Sequence, residues 1–139
     1  MISRVMLATA LATLPVLALA GDARRDAILA DYAATARATS PGFIAFSAQR
    51  GETLFRLKFT GGDPRTASCT ACHTADPRQP GQNAKTGRPI EPVAVSVNSA
   101  RFTDAAKVEK QFARDCKSVL GRECTALEKG DYITFMAGR

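Results

Sequence analysis

The stretch Ser68–Thr74, SCTACHT, holds two of the chain's four cysteines and its single histidine. Three kinds of chemistry use a C-x-x-C pair. A dithiol redox centre needs a βαβ setting, and none flanks Cys69 and Cys72. A zinc site needs four ligands, yet Cys116 and Cys124 have seven residues between them and His73 has no second histidine to join it. A c-type haem attachment site gives every residue a role. The two thiols add to the porphyrin vinyl groups, and the adjacent imidazole is delivered to the iron as the proximal ligand. The motif therefore sets the main demand on the fold: the chain must wrap a large, flat, apolar group.

The N-terminus supplies the setting such chemistry requires. Residues 1–20, MISRVMLATALATLPVLALA, carry one charge at Arg4, then an apolar run ending in Ala18-Leu19-Ala20. This is the pattern of a signal peptide cleaved before Gly21. The run is short for a spanning helix and Pro15 interrupts it. Export implies an oxidising compartment, where cysteines are paired or covalently occupied. With Cys69 and Cys72 committed to haem, Cys116 and Cys124 are left to form a disulfide. The formal charge of +6 drops by one with Arg4, and the remaining basic excess favours an acidic partner or an anionic membrane face. The basic residues are interleaved with acids and lack aromatic spacing for base stacking, so nucleic acid is not an expected partner.

Periodicity outlines one mainly α domain over residues 21–139. Ile28, Leu29, Tyr32 and Ala36 share a helical stripe within Asp22–Ala38, with Asp22 as N-cap. Ser40-Pro41-Gly42 ends it, and a second helical segment is expected over Phe43–Phe59, with Gly51 as a weak point or a close approach. Residues 60–100 contain five of the seven prolines and four of the ten glycines, an irregular segment of a length that suits wrapping a ligand. Thr103 is a candidate N-cap for a helix from Asp104 to about Ser118, with Ala105, Val108, Phe112 and Cys116 on one face and Gly121 as its stop. Thr125 and Glu128 form a capping box for a last helix carrying Leu127, Tyr132, Ile133, Phe135 and Met136. No strand run argues for a sheet.

A single histidine leaves open what stands across the iron from it. The usual second ligands are His and Met. Met1 and Met6 leave with the signal peptide, so Met136 is the remaining methionine; core packing is its ordinary role and ligation the alternative. Lys85, Lys107 and Lys110 could ligate only as neutral, desolvated amines. Asp115 stands out, because a carboxylate towards a helix C-terminus opposes the macrodipole by about 0.5 kcal/mol. It is either an exposed acid flanked by Arg114 and Lys117, or a carboxylate held at the distal haem face by its neighbour Cys116. Lys85, Arg88 and Arg101 are candidate propionate partners, or solvated cations.

The blocks TGGDPRTASCTACHTAD, GQNAKTGRPIEP and RFTDAAKVEKQFARDCKSVLGREC followed by TALEK resemble a small family of periplasmic monohaem c-type cytochromes, that of the sphaeroides haem protein and cytochrome c-double-prime. The resemblance runs from about Tyr32 to the last helix. It implies a class I cytochrome c-like helical fold with an extra N-terminal helix, one covalent haem c, and a short disulfide beside the distal site matching Cys116 and Cys124. In that family the residue before the first of these cysteines is the sixth ligand, asparagine in one branch and histidine in the other, and it detaches on reduction. Here that residue is Asp115, which departs from both branches. It ligates ferric iron, holds a ligating water, or leaves the site open.

The expected protein is thus a periplasmic single-electron carrier that meets acidic or membrane-bound redox partners. The alternative is binding or sensing of O2 or NO at an open distal site. No distal His or Arg is assignable for peroxide or oxygen reduction, so an enzyme is not expected.

Overall fold

The structure, a computed structural model, describes residues 22–139. The expected signal peptide, residues 1–20, and its cleavage point before Gly21 lie outside the described residues. Among the described residues no helix is long and apolar enough to cross a membrane.

Helix α1 spans Ala23–Thr39, with the Asp22 carboxylate accepting from Arg24 N as N-cap. Its buried stripe, Ile28, Tyr32 and Ala36, faces the core. Arg25 is buried on the same helix, and its guanidinium donates to the carbonyls of Ser99 at 2.7 Å and Arg101 at 2.9 Å. This charge-assisted anchor ties α1 to the loop that precedes the fourth helix.

The second helix is shorter than the sequence suggests. α2 spans Ala48–Arg56, and residues 43–47 are not helical. Two tertiary contacts override the local helical pattern. Ser47 N donates to Asp131 Oδ1 at 2.7 Å while its side chain caps α2, and the Phe46 ring occupies the space that Gly130 leaves open. Gly51 is a close approach: a Cβ there would lie 2.0 Å from the Asp131 carbonyl oxygen, so α2 packs backbone to backbone against the last helix.

Residues 57–104 hold a 3-10 turn at Pro64–Thr66, the one-turn helix α3 at Thr70–His73, and a two-stranded antiparallel pair. β1 (Gly81–Gln82) and β2 (Pro89–Ile90) pair Gly81 with Ile90 and Gln82 with Pro89, a ribbon too short to leave a strand pattern in the sequence. The stretch before α3 is clamped to the fourth helix. Asp63 N donates to Ser118 O at 2.7 Å, and a Cβ on Gly62 would lie 2.1 Å from that same oxygen.

Helix α4 spans Ala105–Leu120; Asp104, one residue after the expected Thr103, is its N-cap and accepts from Lys107 N. Gly121, at φ +75°, ends it in the left-handed conformation that favours glycine. Helix α5 spans Ala126–Ala137 and carries the Thr125–Glu128 capping box. Phe55, Ile133, Phe135 and Met136 are the largest fully buried side chains, each worth roughly 1.5–3 kcal/mol of burial. Met136 belongs to this core and does not line the cavity described below, so it is not in place to ligate iron.

Candidate functional site

A cavity of about 1090 Å³ opens between the 61–73 stretch, α4 and one face of α5. It exceeds the roughly 300–1,000 Å³ typical of small-ligand pockets, which suits a macrocycle. Cys69, Cys72 and His73 line one wall. The single turn of α3, with His73 N donating to Cys69 O at 3.0 Å, brings both sulfurs and the imidazole to that wall. Thr74 follows at φ +60° and ψ 177°, a region that costs about 1–3 kcal/mol for a residue with a side chain. Its hydroxyl donates to Asp76 O at 2.9 Å, holding the chain as it turns away from the motif. Gly81 of β1 packs from outside, where a Cβ would lie 2.0 Å from the Cys72 carbonyl oxygen.

The chemistry of this wall discriminates among the three uses of C-x-x-C. Burial, reinforced by the Asp115 carboxylate, pushes the Cys69 thiol up to about 12, so it is no ready thiolate for exchange or zinc. Among the described residues no group of three or more His, Cys, Asp or Glu side chains is arranged to hold a metal ion by itself. Burial also holds His73 below its usual range, keeping the imidazole neutral with a lone pair to offer. Two unpaired thiols beside a neutral imidazole, at the edge of a large cavity, fit a covalently tethered haem with an axial histidine.

Helix α4 supplies a second wall. Val108, Phe112, Asp115 and Cys116 recur at helical spacing and line the cavity together. Cys116 is bonded to Cys124, so the start of α5 is tied to this wall. Asp115 therefore does face the cavity, half-exposed, but its carboxylate is engaged. Gln111 Nε2 donates to Oδ2 at 2.5 Å and Arg114 Nε to Oδ1 at 2.9 Å. The helix continues to Leu120, more than a turn past Asp115, so the macrodipole bears on it less than its sequence position implies. Gln111 escapes the sequence reading, although its i, i+4 relation to Asp115 was a visible signal.

Six basic and three acidic side chains line the cavity. Lys85 and Arg101 are among them, Lys85 paired with Asp63 at 3.1 Å and Arg101 donating to the Glu91 and Pro92 carbonyls. Lys107 and Lys110 also line it, Lys107 paired with Asp104, whereas Arg88 does not.

Residues 41–136 match the family described as a domain of unknown function, DUF1924. The chain is 45% identical to cytochrome c-type protein SHP of Cereibacter sphaeroides, over 88% of this chain and 89% of that one. It is 35% identical to cytochrome c'' of Methylophilus methylotrophus, over 86% and 83% respectively. Among solved structures, oxidized SHP, described as an oxygen binding cytochrome c, aligns at a TM-score of 0.75 and 43% identity, covering 83% of this chain and 96% of that one. Oxidized cytochrome c'' aligns at 0.72 and 34% identity, covering 83% and 94%.

Proposed function

The chain belongs to the DUF1924 family and is a c-type cytochrome that carries covalently bound haem c; from that premise we propose that it is an exported, periplasmic carrier of single electrons. The observation that carries this reading is the wall on which Cys69, Cys72 and His73 come together at a cavity of macrocycle size. Cys69 and Cys72 would tether the haem and His73 would hold its iron. The haem would supply a one-electron couple and a metal able to take a further ligand.

The protein's own residues determine how electrons reach that couple. The basic excess around the cavity draws in an acidic redox partner and orients it, an effect that weakens with salt. The clamp of Gly62 and Asp63 onto Ser118 holds the tethering wall and α4 at a fixed separation, which limits reorganisation on electron transfer.

A second reading, capture of a small diatomic ligand, is favoured by one observation. Both carboxylate oxygens of Asp115 are already held by Gln111 and Arg114, so the residue at the family's sixth-ligand position is restrained from the iron. The oxygen binding stated of SHP points the same way.

Ferric and ferrous absorption and resonance Raman spectra, with and without carbon monoxide, separate the readings. A low-spin ferrous form that ignores carbon monoxide leaves electron carriage alone; prompt binding supports capture. Electron exchange with an acidic redox protein, followed by stopped flow, should slow as ionic strength rises. A rate independent of salt would remove the charged docking surface.

A further inference from the structure

Tyr132 sits on α5 at 8% exposure and lines the cavity. Its ring is enclosed by three others, with centroids at 6.2 Å for Phe55, 6.1 Å for Phe102 and 5.6 Å for Phe112. Among the described residues its hydroxyl has no hydrogen-bond partner, and the oxygen is not sealed off from accessible space, which at this residue is the cavity. The other tyrosine behaves differently: the Tyr32 hydroxyl donates to Glu109 Oε1.

Phenylalanine would fill the same space among the same rings; what the oxygen adds is a donor that opens on the cavity and is available to whatever occupies it. A propionate carboxylate, for which Arg101 on the same cavity supplies a cation, is the competing acceptor, and a shifted midpoint potential distinguishes it. A neutral diatomic molecule needs an apolar surround and one donor, and the site has both. Phe112, packed against the Tyr132 ring, lies three residues before Asp115 on the same face of α4, so Tyr132 borders that wall of the cavity.

We propose that Tyr132 donates a hydrogen bond to a small neutral diatomic ligand held beside the α4 wall, and so governs how long that ligand stays. The proposal rests on the ligand-capture reading of the same site.

Carbon monoxide is the probe, applied to ferrous haem-loaded wild type and Tyr132→Phe. Infrared spectroscopy reads the C–O stretch, and replacement by nitric oxide reads dissociation. The expected result is binding by both proteins, with the stretch moved to higher wavenumber in the variant and dissociation roughly 3- to 10-fold faster, the range of one net hydrogen bond. An unchanged stretch and rate overturn the proposal while leaving ligand capture standing. In that case a shifted midpoint potential would assign the hydroxyl to a propionate instead. Wild type that fails to bind carbon monoxide overturns both. If the variant does not fold, wild type in D2O provides the measurement: a C–O band that does not move on exchange excludes a donated hydrogen bond, and a band that moves supports one.

Discussion

Gln111 donates from Nε2 to Oδ2 of Asp115 at 2.5 Å, one turn back along α4 and on the face that lines the cavity. The pair decides whether the carboxylate at the family's distal position can reach iron. With Arg114 on the other oxygen, both oxygens are held in place, and swinging the carboxylate away from them gives up hydrogen bonds worth about 0.2–1 kcal/mol each at this exposure.

Replacing Gln111 with Leu releases Oδ2 without moving the helix. The ferric spectrum should shift towards the low-spin, six-coordinate form as the freed carboxylate approaches the metal. Asp115→Asn, which restores the residue of one branch of the family, should shift it as well. Identical ferric spectra in wild type and both variants would place Asp115 outside the iron's reach.

Cys116 and Cys124 close a loop of eight residues' separation. Cross-linking so short a loop restricts the unfolded chain by about 2–3 kcal/mol. The double variant Cys116→Ala/Cys124→Ala, haem still attached, should lose that much in a guanidinium titration, with a slope equal to or slightly above that of wild type as the unfolded chain loosens. A midpoint equal to wild type would show that the unfolded state gains nothing from losing the bond.

Glu128 lies below the ordinary carboxylate range, chiefly because Arg122 bonds its side chain, with the Thr125 backbone N–H adding to this. A folded value below the unfolded one adds stability at pH above the unfolded value, roughly 4.3, and loses it as pH falls through the folded value. Between pH 5 and 3 the melting temperature of Glu128→Gln should therefore fall less steeply than that of wild type. At neutral pH the variant, whose glutamine keeps the capping box, should be weaker by about 0.2–1 kcal/mol, the usual worth of an exposed ion pair. Parallel melting curves across the acid range would assign the pH dependence to other carboxylates.

What the sequence discloses here follows the range of the interactions. Asp22, Gly121 and the Thr125–Glu128 box mark helix ends through bonds to residues two to four positions away, and the helix boundaries fall beside them. Phe43–Phe59 reads as one helix because its apolar spacing is helical. Asp131 and Gly130, more than eighty positions later, pull Phe46 and Ser47 out of it. The tethering motif is legible because covalent chemistry demands adjacent residues. The opposite wall is legible only in part: Asp115 is singled out, Gln111 is passed over, and Tyr132 reads as one more apolar position. The cavity's depth, which gives the Tyr132 hydroxyl its setting, depends on three rings from α2, α4 and the loop before α4.

The clamp of Gly62 and Asp63 on Ser118 fixes one end of a short span whose other end is the first tethering sulfur at Cys69. Between these anchors the backbone has no slack, so the number of residues there is itself a structural parameter. One residue added or removed would rotate the sulfur off its bonding direction while leaving the motif's letters intact. The ribbon tip at residues 83–88 is exposed along most of its length and closes on itself through Gly87 N and Asn83 O at 2.8 Å. Length variation is tolerable at its outer edge, residues 86–88, whereas Ala84, donating to Cys72 Sγ, and Lys85, paired with Asp63, hold the inner edge to the site. Two loops on the same side of the molecule thus differ sharply in the insertions they can absorb, and a scan for the motif alone would miss the difference.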